Sequence, residues 1–417
     1  MKIIRTEQIF ILDNGIISYM CHKSKNLFNQ TNYILRNQFF NKERLSSYKE
    51  LANEFSMPSE IEEYNNFQKL PAQTAQWTIK KVKESWSLFF RALKAYRKNP
   101  ELFNGIPRPP KYKYRDAEFI LIFTNQQCRI ENGILKFPKI MNLELKTRLE
   151  NVDLREVRII PLGTGYNVEI VYSKEISDFN EVSANRILGI DVGIRNTITI
   201  GNSISEKGIA VKGGVLKSIN QYFNKKLSRL KSINDKQRKN HENTKRINKL
   251  YMNRNRKIKD VMHKLSDAVI KYAINNKIDT IVIGHNNRWK QSAEMGKKNN
   301  QNFVQIPFNT LINQIYYKGQ EHGINVIIQE ESYTSKCSFL DNESIEKHDN
   351  YLGKRISRGI FKSLNGTLIH ADLNASYNII KKAIPEAFAN GIEGIGLYPG
   401  SLSIPKFIDM ITSKGVC

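Results

Sequence analysis

The chain has 417 residues and a formal net charge of +25, from 65 Lys and Arg against 40 Asp and Glu. Its length allows two or three domains, and a hydrophobic content of 40% excludes a disordered protein. So large a basic excess favours a polyanion such as nucleic acid as the partner, with a merely basic surface as the alternative.

Membrane and disulfide-rich classes are disfavoured by the same sequence. No apolar run approaches the roughly 18 residues that a membrane span needs, and the N-terminal MKIIRTEQIFIL is too short and interrupted for a secretory signal. The cysteines are far apart along the chain, which argues against a disulfide scaffold and against a CxxC metal site. We therefore expect a cytoplasmic protein without a membrane partner.

The N-terminal part predicts a strand, helices and then more strands. MKIIRTEQIFIL begins as a strand, and residues 70–96 repeat apolar side chains at helical spacing opposite a basic face. Three prolines within 104–113 end the helices, and short segments between 118 and 173, separated by NG and GTG turns, predict strands. This order indicates a small β-barrel split by a helical domain, and such barrels commonly hold oligonucleotides. Any other small β-sheet is the alternative.

The C-terminal part predicts a layered α/β domain. RILGIDVGIRNTITIGN, residues 186–202, predicts two strands joined by a tight turn at Gly193, and residues 217–276 predict a helical hairpin with a basic face. A strand, a helix, a strand and a final helix follow at 278–286, 308–323, 325–331 and 367–384. This order is typical of a ribonuclease-H-like sheet. The tail, residues 385–417, has three isolated glycines in its GIEGIG segment and no clear element.

Acidic residues stand at three predicted strand or helix ends of this domain. Asp191 ends a strand, Glu330 and Glu331 follow another strand, and Asp372 begins the last helix. Each has an ordinary alternative: a turn aspartate, a solvated loop pair, or a residue that complements the helix dipole. Carboxylates that converge repel one another unless cations lie among them, and Mg²⁺ prefers carboxylate oxygens. Two such ions about 4 Å apart can hydrolyse a phosphodiester.

Several ordered segments resemble the TnpB family, the insertion-sequence-encoded nucleases that are ancestral to type V CRISPR effectors. They are LPAQTAQWTIKKVKESWSLFF, PRPPKYK, ILGIDVGIRN, IDTIVIGHNNRWKQ, GKKNNQNFVQIPF, ESYTSKCSFLD and NGTLIHADLNASYNII. The resemblance implies an RNA-guided DNA endonuclease, with a RuvC nuclease domain of ribonuclease-H fold and a wedge β-barrel carrying an inserted helical recognition domain. Its implied partners are a guide RNA and target double-stranded DNA, its implied cofactor is Mg²⁺ with Mn²⁺ as the alternative, and a monomer is favoured.

The resemblance also implies a domain assignment. We expect the wedge barrel at 1–15 and 112–180, the helical recognition domain at 16–111, the RuvC domain at 186–332 and 367–384, an insert at 333–366, and the tail at 385–417.

The resemblance identifies Asp191, Glu331 and Asp372 as the catalytic, metal-binding residues, after one departure from the family pattern. Most relatives carry the middle glutamate where this chain has Gly284, followed by His285. A subset instead places a glutamate just before a Tyr-Thr-Ser-Lys-like segment, and Glu331 matches that position. We therefore expect Glu331 to replace the lost carboxylate from the neighbouring strand.

Glu330 and Glu294 are the alternatives to Glu331. Glu330 has the opposite pleat parity and is expected to face solvent or the insert, and Glu294 lies in a polar loop. If no glutamate serves, the chain would be a nuclease-inactive, RNA-guided DNA-binding repressor. An unguided transposase or resolvase of ribonuclease-H fold is a further alternative.

The insert, residues 333–366, departs from the family in a second way. Relatives usually fold the segment between the middle glutamate and the last aspartate around a four-cysteine zinc ribbon, whereas residues 337–371 here offer only Cys337, His348 and His370. Three such residues are too few for a closed tetrahedral site, so we expect no zinc. The insert also contains the basic loop GKRISRG, whose Lys354, Arg355 and Arg358 are expected to guide a nucleic-acid strand into the cleft.

Candidate nucleic-acid contacts follow from the basic helices and from the resemblance. Amide side chains suit adenine edges in the major groove, and surface residues without base contacts are the alternative. We expect Trp77 and Trp86 in the core, with stacking as the alternative for Trp77, and we expect Trp289 to be open to stacking. The candidates are Gln73, Gln76, Lys80, Thr124, Asn125, Arg229, Lys245, Arg254, Trp289, Lys290, Lys354 and Arg355.

Overall fold

The structure is a computed structural model. The chain folds into two compact units, Met1–Ile176 and Ser177–Cys417. The residues that the structure describes are 2–175, 185–237, 243–286, 305–389, 391–392 and 394–413. Three residues of the sequence analysis, Trp289, Lys290 and Glu294, lie outside these ranges. Among the described residues, no helix combines the length and the apolar character that crossing a membrane requires.

The first unit consists of two antiparallel sheets and three helices. The strands are β1 (Lys2–Ile11), β2 (Leu121–Thr124), β3 (Arg129–Glu131), β4 (Ile134–Lys136), β5 (Glu144–Lys146), β6 (Asp153–Pro161) and β7 (Tyr166–Glu175). The helices are α1 (Ile16–Phe40), α2 (Tyr48–Ser56) and α3 (Ala72–Lys98). One sheet has the order β1-β7-β6-β2 and the other β3-β4-β5. The helices therefore interrupt the β part between β1 and β2, and one hydrophobic core includes buried residues of both sheets and all three helices.

The apolar face of α3 supplies much of this core. Val82, Trp86 and Phe89 are buried, and the Trp86 indole N–H donates to the Asn32 amide oxygen at 2.9 Å. Trp77 lies on the same helix but is only partly buried and lies outside the core, which corrects the expectation that it is a core residue.

The second unit is built on a six-stranded mixed sheet. Its strands are β8 (Ile187–Val192), β9 (Asn196–Asn202), β10 (Ile209–Lys212), β11 (Thr280–Gly284), β12 (Asn325–Gln329) and β16 (Gly400–Ser403), in the order β12-β11-β8-β9-β10-β16. A small antiparallel sheet contains β13 (Lys354–Ser357), β14 (Ile360–Lys362) and β15 (Leu368–His370). The α-helices of this unit within the described ranges are α4 (Gly214–Gln237), α5 (Lys245–Asn275), α6 (Phe308–Glu321), α7 (Ala371–Ala383) and α8 (Ile404–Ser413).

Two apolar clusters flank the six-stranded sheet. One cluster joins sheet residues such as Ile190 and Ile281 to buried residues of α5, α6 and α8. The other joins Ile187 and Val282 to Tyr377, Ile379 and Ile380 of α7, together with part of the insert. Because β8 and β11 contribute side chains to both clusters, these strands are apolar along most of their length, as expected for parallel strands buried on both faces.

The C-terminal part differs from the sequence-based expectation. The region predicted as one helix from residue 367 forms β15 first, and the helix begins at Ala371. The tail contains a short 3-10 helix (Pro385–Phe388), β16 and α8, so the expectation of no clear element was wrong. β16 pairs in parallel with β10, and α8 buries Ile404, Phe407 and Ile411 in the main core of the unit.

Candidate active site

Three parallel strands bring their carboxyl ends to one edge of the sheet. β11 pairs in parallel with both β8 and β12, with Ile283 opposite Ile190 and Gly284 opposite Gln329. In such sheets, functional side chains collect at the carboxyl ends of the strands. The three predicted carboxylates occupy the positions expected for such a site: Asp191 near the end of β8, Glu331 just after β12, and Asp372 in the first turn of α7.

A pair of glycines brings α7 close to the sheet. Gly189 and Gly201 lie opposite each other on β8 and β9. The Ser376 hydroxyl donates to the Gly189 carbonyl at 2.7 Å and accepts from the Gly201 N–H at 2.8 Å. A Cβ on Gly189 would lie 2.3 Å from the Ser376 carbonyl oxygen, so no larger residue fits without moving the helix. This close packing sets the position of Asp372, one turn earlier in α7, relative to Asp191 of β8.

Asp372 is held by two neighbours from different elements. The Asn196 amide donates to its Oδ2 at 2.9 Å, and the Arg355 guanidinium lies 3.7 Å from its Oδ1. Asn196 is buried at the start of β9, and sequence analysis did not identify it. Arg355, which was predicted to contact nucleic acid, is thus next to the carboxylates.

Glu331 points toward the end of β11. Its backbone N–H donates to the Asn286 amide oxygen at 3.1 Å. Its Oε2 would be only 2.8 Å from a Cβ built on Gly284, so the carboxylate lies beside the position at which the family resemblance implies a glutamate. Burial, followed by the negative charge of Glu330, raises the pKa of Glu331 from 4.5 to about 7.

Glu330 points elsewhere. Its carboxylate is half exposed, pairs with the Lys382 ammonium at 2.7 Å and accepts hydrogen bonds from Ser332. The hydrogen bond from Lys382, followed by that from Ser332, lowers its pKa. Neighbouring glutamates therefore have opposite electrostatic environments, and the geometry favours Glu331 over Glu330 as a partner of the other two carboxylates.

The pKa of Asp191 is affected by both of the other carboxylates. Burial raises its pKa well above the usual value, the charges of Asp372 and Glu331 raise it further, and Arg355 opposes the rise. A divalent cation that prefers oxygen ligands would stabilise the negative charge of such carboxylates, so these side chains are chemically suitable ligands. Within the described part of the chain, no three Asp, Glu, His or Cys side chains converge tightly enough to form a ready metal site. The donor set therefore fits the ion, while the side chains would have to move closer together to bind it.

The insert is held by hydrogen bonds. The buried Glu343 carboxylate accepts from the backbone N–H groups of Ser338 and Leu352 at 2.6 and 2.8 Å. From α7, the Asn374 and Asn378 side chains both donate to the Cys337 carbonyl, at 2.9 and 2.8 Å. The same helix thus carries Asp372 and anchors the insert.

Two of the predicted base-reading residues meet in the first unit. The Thr124 hydroxyl donates to the Gln73 amide oxygen, and the Gln73 amide donates to Gln126 at 2.6 Å. Gln126 was not predicted, although it stands in the polar run TNQQ that ends β2. Asn125 is exposed beside this group and Gln76 is partly buried in α3.

The basic residues predicted to contact nucleic acid differ in their exposure and in the contacts that their charged groups make. Arg229, Lys245 and Lys354 are exposed. The Lys80 ammonium lies over the rings of Trp77 and Tyr48, at 4.8 and 5.1 Å from their centroids.

Arg254 is held within its own unit. Its guanidinium donates to Asn220 and to the Gln305 carbonyl, and its partial burial lowers its pKa. These bonds give Arg254 a structural role between the two basic helices.

Comparisons with known proteins agree with these observations. A family model described as "Probable transposase" matches residues 169–290, and one described as "Cas12f1-like, TNB domain" matches residues 308–379. TnpB-like protein ORF457 of Acidianus two-tailed virus is 25% identical to the chain, over 91% of this chain and 87% of that protein.

A solved structure shows the same fold. The effector in a cryo-EM structure of the Cas12f1–sgRNA–target DNA complex matches 88% of this chain and 83% of its own, with a TM-score of 0.52 and 14% identity. This likeness confirms the predicted fold class, a mixed α/β multidomain protein with a RuvC unit of ribonuclease-H type. Together with the family models and the viral relative, it shows that the chain is similar to TnpB-like and Cas12f1-like proteins.

Proposed function

We propose that this chain is an RNA-guided DNA endonuclease that cuts target double-stranded DNA next to a short flanking motif. The observation that carries the proposal is the placement of Asp191, Glu331 and Asp372 at one edge of the sheet, at the ends of β8 and β12 and in the first turn of α7, near enough that the charges of the latter two raise the pKa of Asp191. Three acidic side chains placed near one another are electrostatically unfavourable unless they bind a cation, and in a chain with a net charge of +25 such a cluster indicates a cation-binding role.

The three carboxylates would hold divalent ions, Mg²⁺ or Mn²⁺, at the carboxyl edge of the sheet. When bound, such ions activate a water for in-line attack and stabilise charge on the phosphate. Asn196 orients the Asp372 carboxylate through its 2.9 Å hydrogen bond, and Asn286 fixes the backbone at Glu331. Arg355, close to Asp372, is positioned to attract a phosphate of the strand to be cut.

The target DNA sequence would be selected by base pairing with a guide RNA. The protein would contact the sugar-phosphate backbone of the RNA–DNA heteroduplex. Exposed Arg229, Lys245 and Lys354 would neutralise phosphates. The linked side chains of Gln73, Thr124 and Gln126 would read the flanking motif, because amides pair with adenine edges. The proposed domains are the barrel at 1–15 and 112–180, the helical domain at 16–111, the nuclease domain at 186–332 and 367–384, and the insert at 333–366. To the nuclease domain we add β16 and α8 of the tail, which belong to its sheet and its core. The proposed active form is a monomer.

Cleavage by matched variants tests the proposal. The protein is purified with its co-purifying RNA, the RNA is sequenced, and a plasmid library with randomised flanks is cut in Mg²⁺. We expect a defined RNA, cleavage by the wild type and by Glu330→Ala, and no cleavage by Glu331→Ala. Loss of cleavage with Glu330→Ala and not with Glu331→Ala would reverse the assignment of the glutamate.

A second candidate is an RNA-guided DNA binder that does not cut. It is favoured by Gly284 at the position of the usual glutamate and by Arg355, whose positive charge lies 3.7 Å from Asp372. Target binding with a defined RNA, without cleavage in either Mg²⁺ or Mn²⁺, would support this binder. The absence of any defined RNA would instead support the unguided transposase or resolvase.

A further inference from the structure

Gly284 ends β11 in the middle of the three parallel strands. It pairs with Gln329 of β12, and its φ angle lies outside the left-handed region, so its backbone does not require glycine. Glycine weakens a strand interior because it has no side chain to pack. A reason for glycine here must therefore lie in the space around it.

That space is occupied by two side chains. A Cβ on Gly284 would lie 2.5 Å from Cδ1 of Ile379 and 2.8 Å from Oε2 of Glu331. Both distances are shorter than real Cβ contacts, so one or both side chains would have to move. The Ile379 methyl belongs to the core, whereas the Glu331 carboxylate is one of the three carboxylates of the site.

Other tight glycines of this unit differ in what they face. Gly189 and Gly201 face Ser376, Tyr377 and Ile380 of α7, so their role is to seat that helix. Among these glycines of the sheet, Gly284 is the one whose missing side chain leaves room for a carboxylate.

We propose that Gly284 is a positioning residue, whose missing side chain makes the space in which the Glu331 carboxylate lies. A side chain at position 284 and a correctly placed Glu331 exclude each other. The glycine where relatives carry a glutamate is then a requirement of the relocated site. The inference rests on the proposed function, since it assigns Gly284 a role only if Glu331 acts in the site.

The test uses Gly284→Ala, Glu331→Ala, the double variant and Gly214→Ala. Gly214 is a matched control because a Cβ there meets no atom within 4 Å. Three quantities are measured on the full chain: the unfolding temperature without metal, the affinity for Mn²⁺ by calorimetry without nucleic acid, and guided cleavage in Mg²⁺.

We expect Gly284→Ala to fold and to lose cleavage by about 100-fold, the effect typical of a catalytic group displaced by about 1 Å. Its Mn²⁺ affinity should fall as far as that of Glu331→Ala. The double variant should bind Mn²⁺ no more weakly than Glu331→Ala alone, because both changes act through one carboxylate. Gly214→Ala should resemble the wild type in all three measurements.

Several results would overturn the inference. Cleavage and Mn²⁺ binding by Gly284→Ala at the level of Gly214→Ala, with Glu331→Ala inactive, would refute the role of Gly284 and leave the proposed function intact. Additive losses of Mn²⁺ affinity in the double variant would refute it as well. Cleavage by Glu331→Ala at the rate of the wild type would instead refute the proposed site itself.

If Gly284→Ala does not fold, Ile379→Ala removes the competing apolar contact. The variant Gly284→Ala with Ile379→Ala is then compared with Ile379→Ala alone. Continued loss of Mn²⁺ affinity supports displacement of Glu331. Recovery to the level of Ile379→Ala shows that Gly284 only makes room for the isoleucine.

Discussion

Replacing Glu331 with glutamine should make the protein more stable at alkaline pH while abolishing its activity. In the unfolded chain the Glu331 carboxyl loses its proton near pH 4.5, whereas in the folded protein its pKa is about 7. Between these values the folded state binds more protons than the unfolded state, so stability falls as the pH rises from about 4.5 to about 7. Glutamine has the same shape but does not ionise, so the Glu331→Gln variant does not lose this stability as the pH rises.

The size of the effect follows from the pKa. One pH unit corresponds to about 1.4 kcal/mol, so a carboxyl with a pKa raised from 4.5 to about 7 destabilises the folded state by about 3 kcal/mol above pH 7. For a unit of this size, each kcal/mol changes the unfolding temperature by about 2–4 °C, which gives a rise of roughly 6–12 °C for Glu331→Gln at pH 8. At pH 4 the two proteins should be equally stable, because the carboxyl is then protonated in both states.

Differential scanning calorimetry at pH 4 and pH 8, in EDTA, measures this difference, and the adjacent Glu330→Gln is the control. The pKa of Glu330 is lowered by its bond to Lys382, so its ionised form stabilises the folded state and its replacement should lower stability slightly at pH 8. Adding Mg²⁺ should reduce the advantage of Glu331→Gln. Equal stability of Glu331→Gln and the wild type at pH 8, or a larger gain for Glu330→Gln, would refute the electrostatic reasoning.

Three further predictions concern other parts of the molecule. Asn196→Ala removes the hydrogen bond to Asp372 and should slow cleavage by about 10- to 100-fold, as expected for a bond to a charged group; an unchanged single-turnover rate would contradict this. Glu343→Gln leaves one of its two backbone N–H donors without an acceptor and should destabilise the insert by about 1–3 kcal/mol; limited proteolysis should detect this change, whereas EDTA should leave the wild-type insert as resistant as before. Gln73→Ala should reduce discrimination among flanking motifs by about 10- to 100-fold in a plasmid library without changing Mn²⁺ affinity, and an unaltered motif preference would assign Gln73 a structural role.

Local patterns were sufficient for the elements that position the site. β8, β11 and β12 are short strands rich in Ile, Leu and Val, and the helix predicted at 70–96 is observed at Ala72–Lys98. Such runs and periods depend on neighbours in sequence, so they can be recognised without knowing the fold. The catalytic roles assigned to the carboxylates remain predictions, although the charges of Asp372 and Glu331 both act on the pKa of Asp191.

Features that depend on distant parts of the chain were missed. β16, with the sequence GSLS, has no strand-like apolar alternation and becomes a strand because β10 offers it a free edge. Asn196 is an ordinary polar residue until α7 brings Asp372, 176 positions later, to its amide. Trp77 follows the apolar period of α3 closely enough to be assigned to the core, yet it lies beyond the edge of that core and has Lys80 over its ring. For β16 and Asn196, the deciding contact joins two elements whose relative position cannot be read from local sequence patterns. For Trp77, the extent of the core around α3 depends on which other elements pack against that helix.

The electrostatic strain of the site also bears on whether the nuclease is active. Mutations that stabilise a protein are readily accessible, and a site released from function tends to lose residues that destabilise the fold. Here one substitution, glutamate to glutamine at 331, should relieve about 3 kcal/mol of strain, and neutralising Asp191 should act in the same direction. A chain that had become only a DNA binder would gain stability from either change without losing anything. Retention of all three carboxylates beside Gly284 therefore favours cleavage over simple occupancy of the target, and this argument depends directly on the measured stability of Glu331→Gln: if the substitution gives no gain at pH 8, the acids are not costly and their retention carries no information about activity.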